Sequence, residues 1–331
     1  TKNFTEGIEG YDMNPVFSPD GAWLAWESMP RDGYEADQAR LLIANVETGE
    51  RINLFEAFEE SAHNITWSAD GKTIYFITDI EATKEIYSID VATKAITRIT
   101  NGMHDYKSIQ LAGNKLVARK VSMSQPDELF LVNLADGTDT PLTQVTKPIL
   151  DQLEMGKVEK RWVKTSDGKQ MLVWVVLPVN FDPNKKYPAL LYCQGGPQGA
   201  VSQFWSYRWN MQMMAANDYI VVAPNRRGLQ GFGLEWLEQI SKDYGGQNIQ
   251  DYLSAIDDVA KEPYVDAEHL GAVGASYGGF SVFYLAGNHN KRFKAFVSHC
   301  GIFNFEQMYA TTEEMWFVEW DLGGAYWDKS N

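Results

Sequence analysis

Short runs typical of β-strands recur through the first half of the chain at a nearly constant interval. Residues 41–46, 85–90 and 128–133 are such runs; each leads into a polar turn, and their starts lie 44 and 43 residues apart. A second pattern, Ser-Pro-Asp-Gly at 18–21 and Ser-Ala-Asp-Gly at 68–71, recurs after 50 residues. Repeats of this length, with several short strands in each, are typical of β-propeller blades.

The repeats extend to about residue 150 and account for about three blades. A propeller ring usually closes with roughly four to eight blades, and an open set exposes strand edges. We therefore predict part of a β-propeller over residues 1–150, and we expect further blades on its N-terminal side.

From residue 151 onward, candidate strands alternate with candidate helices. Residues 249–260 place their apolar side chains on one helical face, and residues 277–287 form a second helical pattern. The candidate strands are 171–177, 189–193, 219–223, 270–273 and 294–298. This order predicts an open, doubly wound, mostly parallel sheet that is covered by helices on both faces.

The sequence Gly274-Ala275-Ser276-Tyr277-Gly278-Gly279 lies between a candidate strand and a candidate helix. In that setting G-x-S-x-G is the pattern of a nucleophile elbow, whose flanking residues must be small because a larger Cβ would collide with backbone. The helix N-terminus favours negative charge that develops at the hydroxyl. We predict Ser276 to be an acyl-transfer nucleophile; the alternative is a tight turn without catalysis.

An acyl-transfer intermediate needs two hydrogen-bond donors for its oxyanion. One is expected to be the backbone N–H of Tyr277, directly after the nucleophile. The other is expected in the loop after the third strand, where Gln194-Gly195-Gly196-Pro197 stands, and we predict Gly196. A plain Gly-Pro turn would use the same residues.

Several motifs in this order resemble the prolyl oligopeptidase family. They are Gln194 to Pro197, Asn225-Arg226-Arg227-Gly228, Gly231-Phe232-Gly233, Asp251, Gly274 to Gly279, and Trp320-Asp321-Leu322-Gly323-Gly324. The resemblance covers nearly all of residues 162–327. It implies a partial β-propeller over 1–150 and an α/β-hydrolase domain over 151–331 that ends before its last strands. Within the family the chain is most similar to bacterial dipeptidyl peptidases and to acylaminoacyl peptidases.

The resemblance implies a serine exopeptidase that releases dipeptides or acylated residues from the N-termini of short peptides, through an acyl-enzyme at Ser276 and without a cofactor. It also implies that Phe204, Phe303 and Trp316 line the substrate pocket, although core packing explains such aromatics equally well. This chain has Gln194 where relatives commonly have His or Tyr. A relative's Tyr donates to the oxyanion, so a backbone donor is favoured here.

The roles of Arg226 and Arg227 stay open at the level of sequence. Either side chain could bind a substrate carboxylate or carbonyl, and a buried ion pair near the elbow is an equally good interpretation.

The partners of Ser276 in a catalytic triad are expected outside this chain. In α/β-hydrolases an Asp or Glu and then a His follow the nucleophile, after late strands that residues 277–331 do not supply. We therefore expect His289 and His299 to be structural, and Asp321 and Asp328 to come too early for the acid. The chain is expected to be an internal piece of a gene product of about twice its length, and nearly inactive alone.

Charge and composition exclude several other classes of function. The formal net charge of −15 is unsuited to nucleic acid, which is bound through clustered Lys and Arg. No run of residues has the length of a membrane span, and metal-ligand spacings are absent. Both cysteines, Cys193 and Cys300, are predicted to be buried thiols. The resemblance favours a periplasmic or secreted location over a cytoplasmic one, and a homodimer stays open.

Two other functions remain compatible with the sequence. A non-catalytic scaffold that binds peptides or a protein partner would have lost the Asp or His of the triad. A carboxylesterase could use the same elbow, although the propeller repeats count against it, because esterases of this fold usually carry a small helical cap instead.

Overall fold

The computed structural model describes residues 2–331 as two compact units. The first unit contains the chain up to Leu150 and two short later segments, Ser202–Trp205 and Gln230–Leu234. The second unit contains Asp151–Val201, Ser206–Leu229 and Glu235–Asn331. Over residues 2–331, no helix has both the length and the apolar character needed to cross a lipid bilayer.

The first unit consists of three antiparallel meanders of four strands each. The first is β1 (Asp12–Phe17), β2 (Trp23–Ser28), β3 (Arg40–Asn45) and β4 (Arg51–Asn53). The second is β5 (His63–Trp67), β6 (Thr73–Ile80), β7 (Thr83–Asp90) and β8 (Ile96–Arg98). The third is β9 (Asp105–Ala112), β10 (Lys115–Ser122), β11 (Gln125–Asn133) and β12 (Asp139–Pro141), and helix α1 (Lys147–Leu150) follows it.

The polar turns that recur in the sequence have the same hydrogen bonds and backbone geometry in the structure. After β3, β7 and β11, the side chain of the last strand residue accepts a hydrogen bond from the N–H two residues later. The residue four positions later donates its N–H back to the strand end and has φ of 80°, 59° or 70°. The accepting residues are Asn45, Asp90 and Asn133, and the residues with positive φ are Gly49, Lys94 and Gly137. Short polar side chains and Gly favour this geometry, which explains the repeat.

The second and third meanders each bury a glutamate on their third strand. Glu85 accepts hydrogen bonds from Thr100 Oγ1 at 2.5 Å and from the Gly102 N–H at 2.7 Å. Glu128 accepts from Thr143 in the same relation, and in both pairs the threonine lies 15 residues after the glutamate. Each carboxylate therefore ties the third strand to the segment that leaves the fourth.

The second unit is built on a six-stranded mixed sheet. Its strands are β13 (Val158–Lys164), β14 (Gln170–Val176), β15 (Tyr187–Cys193), β16 (Ile220–Pro224), β17 (Val265–Ala275) and β18 (Phe293–His299), in the order β13-β14-β16-β15-β17-β18. The strands β16, β15, β17 and β18 run parallel, as predicted. The edge strand β13 is antiparallel to β14, because a tight turn at 165–168 joins them as a hairpin, and β14 is in turn antiparallel to β16.

Helices lie between and after the strands of this sheet along the chain. They are α2 (Met211–Ala215), α3 (Leu234–Glu238), α4 (Gln247–Val259), α5 (Tyr277–Asn288), α6 (Phe305–Thr311) and α7 (Met315–Leu322). Helix α4 packs on β13, β15 and β16, and α5 packs on β15, β17 and β18. The predicted apolar face of α4 is buried, with Ile249, Leu253 and Ile256 among its buried residues. Strand β17 and helix α5 together place Ser276 between them.

We predict that Thr100→Val destabilises the protein by about 1–3 kcal/mol, because it leaves the buried Glu85 carboxylate short of a donor. Thr100 also accepts the Ile86 N–H at 2.9 Å, and that hydrogen bond is lost too. The matched control is Thr140→Val at an exposed position of β12, where the change should stay within about 0.5 kcal/mol. Urea unfolding followed by circular dichroism measures both, and equal effects would contradict a role for the Glu85 hydrogen bonds.

Candidate active site

Ser276 occupies a sharp turn between β17 and α5. Its backbone has φ 57° and ψ −123°, a conformation that costs a non-glycine residue about 1–3 kcal/mol. The Ser276 N–H donates to the His299 carbonyl at 3.0 Å, and its own carbonyl accepts from the Phe280 N–H at 3.0 Å. The side chain is exposed and makes no capping hydrogen bond to the helix. The turn therefore presents the hydroxyl to solvent in a strained backbone conformation.

The glycines around Ser276 are required by contacts between backbones. A Cβ added to Gly278 would lie 2.1 Å from the Cys193 carbonyl oxygen, and one added to Gly274 would lie 2.5 Å from the Gly278 carbonyl oxygen. A Cβ on Gly279 would lie 2.6 Å from Gly301 Cα. These separations are too short for any side chain. The prediction that a larger flanking residue would collide with backbone is confirmed.

Tyr277 turns its side chain inward and begins α5. As the first residue of the helix, it has an N–H without an acceptor inside the helix. Its ring is 1% exposed, and its hydroxyl lies 2.7 Å from Asn248 Oδ1 and 3.0 Å from the Tyr244 carbonyl oxygen. The buried ring anchors the residue, so the backbone rather than the side chain is available at the turn. The role of the Tyr277 N–H in binding an oxyanion stays a prediction.

The loop after β15 approaches Ser276 through Gly195. A Cβ added to Gly195 would lie 3.6 Å from Ser276 Cβ and 2.9 Å from the Ala275 carbonyl oxygen. Gly196 has φ 116°, and a Cβ there would lie 2.7 Å from the Gln198 nitrogen. The sequence predicts Gly196, whereas the residue whose backbone lies beside Ser276 in the structure is Gly195. The assignment of Gly196 as a donor stays a prediction.

The motif at residues 225–228 holds this loop in place. Asn225 accepts the Val201 N–H at 2.9 Å and donates its amide to the Val201 carbonyl at 3.1 Å. Arg226 donates from Nη2 to the Pro197 carbonyl at 3.1 Å. Both side chains are 0% exposed. These contacts were not predicted from the sequence. The sequence feature that could have indicated them is a polar motif directly after a fully buried strand.

Arg227 forms the buried ion pair that the sequence left as one interpretation. Its Nε lies 2.7 Å from Asp251 Oδ2, and its Nη1 lies 2.9 Å from Asp167 Oδ2. Hydrogen bonds from the Arg227 guanidinium hold the pKa of the Asp167 carboxyl well below its usual range. The Arg227 side chain also lies over the Trp236 ring at 5.1 Å. Arg227 therefore joins α4 to the β13–β14 hairpin.

Asp321 is a buried acceptor on α7. It is 1% exposed and accepts hydrogen bonds from Gln198 Nε2 at 3.0 Å and from the Tyr244 hydroxyl at 2.6 Å. Burial and the nearby Asp321 charge raise the pKa of Tyr244, so this hydroxyl remains a donor. The carboxylate thus ties α7 to the loop after β15.

The three aromatic residues predicted to line a pocket do not all belong to one unit. Phe204 is half-buried and belongs to the first unit, whereas Phe303 and Trp316 belong to the second. Phe303 is 83% exposed and contacts Phe283 edge to face at 5.6 Å, and Trp316 is 41% exposed on α7. Within residues 2–331, no ring contact joins two of the three. Neither exposed ring is core, and lining of a pocket stays a prediction.

The histidines after Ser276 differ in their surroundings. His289 caps the C-terminus of α5, and its Nδ1 accepts the Phe293 N–H at 3.0 Å. His299 contacts Ser276 through its carbonyl oxygen, and its ring packs edge to face on Trp209 at 5.8 Å. Among the hydrogen bonds of the described chain, none joins the Ser276 hydroxyl to a histidine.

One cysteine was predicted wrongly. Cys193 is buried in β15, as expected, and burial raises the pKa of its thiol. Cys300 is exposed, because it follows the end of the edge strand β18 and turns away with φ 49°.

Comparisons with known proteins match this chain to one family. Residues 205–331 match the prolyl oligopeptidase family. Dipeptidyl-peptidase 5 from Porphyromonas gingivalis is 54% identical over 331 residues, which are 100% of this chain and 48% of that protein. Dipeptidyl-peptidase 5 from Trichophyton schoenleinii is 32% identical over 344 aligned positions, covering 98% of this chain and 45% of that protein. The chain therefore spans about half the length of the curated relatives it matches.

Solved structures agree with this match at the level of the fold. An acylaminoacyl peptidase from Pyrococcus horikoshii superposes with a TM-score of 0.81 at 24% identity, covering 92% of this chain and 47% of that one. This chain thus shares the fold of that structure over the aligned residues.

We predict that Gly278→Ala abolishes labelling of Ser276 by a fluorophosphonate and destabilises the protein, because the new Cβ must displace the backbone of β15. Gly287→Ala is the matched control on the same helix, since a Cβ there meets nothing within 4 Å. Helix propensity should make this control more stable by up to about 1 kcal/mol. Thermal melts and labelling on the full-length protein measure both; a normal Gly278→Ala protein would show that the close contact is not required.

Proposed function

Because this chain carries the prolyl oligopeptidase family domain in residues 205–331, we propose that the protein is a serine exopeptidase. It releases dipeptides or acylated residues from the N-termini of short peptides, with Ser276 as nucleophile. The observation that carries the proposal is the exposed Ser276 hydroxyl at φ 57°, in a turn where Gly274 and Gly278 leave no room for a side chain.

The proposed reaction proceeds through an acyl-enzyme. Ser276 Oγ attacks the carbonyl carbon of the scissile peptide, and its proton passes by way of a histidine base to the leaving amine. The N–H of Tyr277 and an N–H of the loop at Gly195 and Gly196 bind the oxyanion of the tetrahedral intermediate. Water then attacks the ester at Ser276 and releases the N-terminal fragment. The expectation that the histidine and its aspartate lie beyond residue 331 stays a prediction, and the sequence of the gene tests it.

We also propose which fold each of the two units has. The three meanders of the first unit are β-propeller blades, since each has four antiparallel strands in chain order. The second unit is an α/β-hydrolase domain, since its parallel strands lead into a strand–turn–helix at the serine.

Release of dipeptides is the preferred form of the activity. The relative from Porphyromonas gingivalis, at 54% identity, is named a dipeptidyl-peptidase 5, whereas the structures named acylaminoacyl peptidase are 24% identical. We also propose short peptides as substrates and a periplasmic or secreted location, with a cytoplasmic one as the alternative. A homodimer remains a further proposal.

The backbone of Ser276 favours an enzyme over a binding scaffold. A turn without chemistry could place Gly at φ 57° and ψ −123° at lower cost, and it would not need an exposed hydroxyl there. The strain at this position is accounted for by nucleophilic attack, which requires the hydroxyl to stand clear of the helix.

We predict that a fluorophosphonate labels the full-length protein at Ser276 and that Ser276→Ala abolishes both labelling and turnover. Ser254→Ala on α4 is the control, because its hydroxyl only bonds the Gln250 carbonyl of its own helix at 2.7 Å. Mass spectrometry locates the adduct. Fluorogenic dipeptidyl amides, N-acetyl-aminoacyl amides and p-nitrophenyl esters are then compared by kcat/KM.

Each outcome of this comparison selects one function. Preference for dipeptidyl amides supports the proposed release of dipeptides, and preference for acetylated amides would identify acylaminoacyl release instead. Turnover of esters alone would identify a carboxylesterase. A full-length protein that neither labels nor turns over any substrate would be a scaffold, and the proposal would be wrong.

A further inference from the structure

The guanidinium of Arg226 lies between the two backbone segments that approach Ser276. Arg226 is 0% exposed. Its Nη2 donates to the Pro197 carbonyl at 3.1 Å, in the loop after β15, and its Cζ lies 4.7 Å from the centre of the Tyr277 ring. One side chain thus contacts both the loop that carries Gly195 and the residue that follows the nucleophile.

Tyr252 extends this contact to the other end of the loop. Arg226 Nε donates to the Tyr252 hydroxyl at 3.1 Å, and that hydroxyl in turn donates to the Gln194 carbonyl oxygen at 3.4 Å. Burial raises the pKa of Tyr252 to about 12 against the opposing effect of Arg226, so the hydroxyl keeps its proton and can donate. Arg226 and Tyr252 therefore hold Gln194 and Pro197, the two residues that bracket the pair of glycines.

The hydrogen bonds of Arg226 differ in kind from those of its neighbour. Within the described chain, every recorded hydrogen bond of its guanidinium ends on an uncharged oxygen, those of Tyr252, Arg227 and Pro197. Arg227, by contrast, is paired with the carboxylates of Asp251 and Asp167. Taking a charge out of water is costly unless hydrogen bonds satisfy the buried group. Arg226 Nη2 donates to the backbone of the loop beside Ser276, and Nε reaches the same loop through the Tyr252 hydroxyl.

The geometry points to Arg226 as a positioning residue that fixes the two proposed oxyanion donors, the Tyr277 N–H and the Gly195–Gly196 loop, relative to each other. The inference rests on the proposed function. A planar fork can hold a carbonyl, a hydroxyl and an aromatic face together, whereas the single ammonium of a lysine cannot. A displacement of about 1 Å at such a site lowers the rate by about 100-fold.

The test uses Arg226→Lys and Tyr252→Phe in the full-length protein. Two matched controls remove comparable groups elsewhere: Arg292→Lys, which pairs with Asp257 at 2.7 Å, and Tyr187→Phe, whose hydroxyl accepts the Asp182 N–H at 3.0 Å. We measure kcat and KM for the preferred peptide amide, per active site titrated with fluorophosphonate, together with the melting temperature.

We expect Arg226→Lys to lower kcat by about 10- to 100-fold while KM changes by less than about threefold. Tyr252→Phe should lower kcat in the same direction by a smaller factor, and the rate of fluorophosphonate labelling should fall in parallel. Both controls should keep kcat. This pattern separates positioning from stability, because a purely structural residue would lower the melting temperature without changing kcat per titrated site.

The opposite results overturn the inference. If Arg226→Lys and Tyr252→Phe keep the wild-type kcat per site while the wild type is active, Arg226 is structural and only this inference is wrong. If Arg226→Lys does not fold, an unchanged kcat in Tyr252→Phe contradicts the inference, and a lowered kcat supports the inference. A wild type that neither labels nor turns over would overturn the proposed function, and this inference with it.

Discussion

The contact of backbone against backbone around Ser276 is the constraint on which the candidate site depends. Gly278 in α5 meets the carbonyl of Cys193 in β15, and Gly279 meets the chain after β18. These contacts bring the start of α5 closer to the sheet than any side chain would permit, and they leave Ser276 to make the turn at φ 57°. The strain of about 1–3 kcal/mol is sustained because neighbouring strands fix both sides of the turn.

Buried polar side chains then fix the loop that faces this turn. Asn225 holds Val201, Arg226 holds Pro197, and Asp321 holds Gln198, so the loop after β15 is bound at several points along its length. Backbone polar groups in a buried loop must find partners, and Asn225 and Arg226 supply them where no strand can, while Asp321 binds the side chain of Gln198. Rigid support of this kind allows an N–H group to be in place before charge develops on a substrate.

The first unit is stabilised in a different way, by local contacts that recur from one meander to the next. Each meander ends its third strand with the same turn, and two of them bury a glutamate that binds a threonine 15 residues later. Apolar side chains then fill the space between neighbouring meanders, such as Ile43, Phe76 and Ile89 in one cluster and Ile86, Tyr106 and Leu116 in the next. Such repeats depend mainly on their nearest neighbours for stability.

The sequence alone determined the features that arise from local chemistry. The period of the repeats, the strand–turn–helix at Ser276 and the need for Gly at 274 and 278 follow from turn geometry and sterics over a few residues, and the structure confirms them. Tertiary structure alone decided the pairings over long distances: Arg226 with Pro197, Asp321 with Gln198, and β14 with the antiparallel strand β16. It also decided that Cys300 is exposed and Gly195 adjacent to Ser276. A residue pattern specifies which groups a segment offers, but the partner of a buried polar group depends on how separate segments pack, and local sequence does not encode that packing.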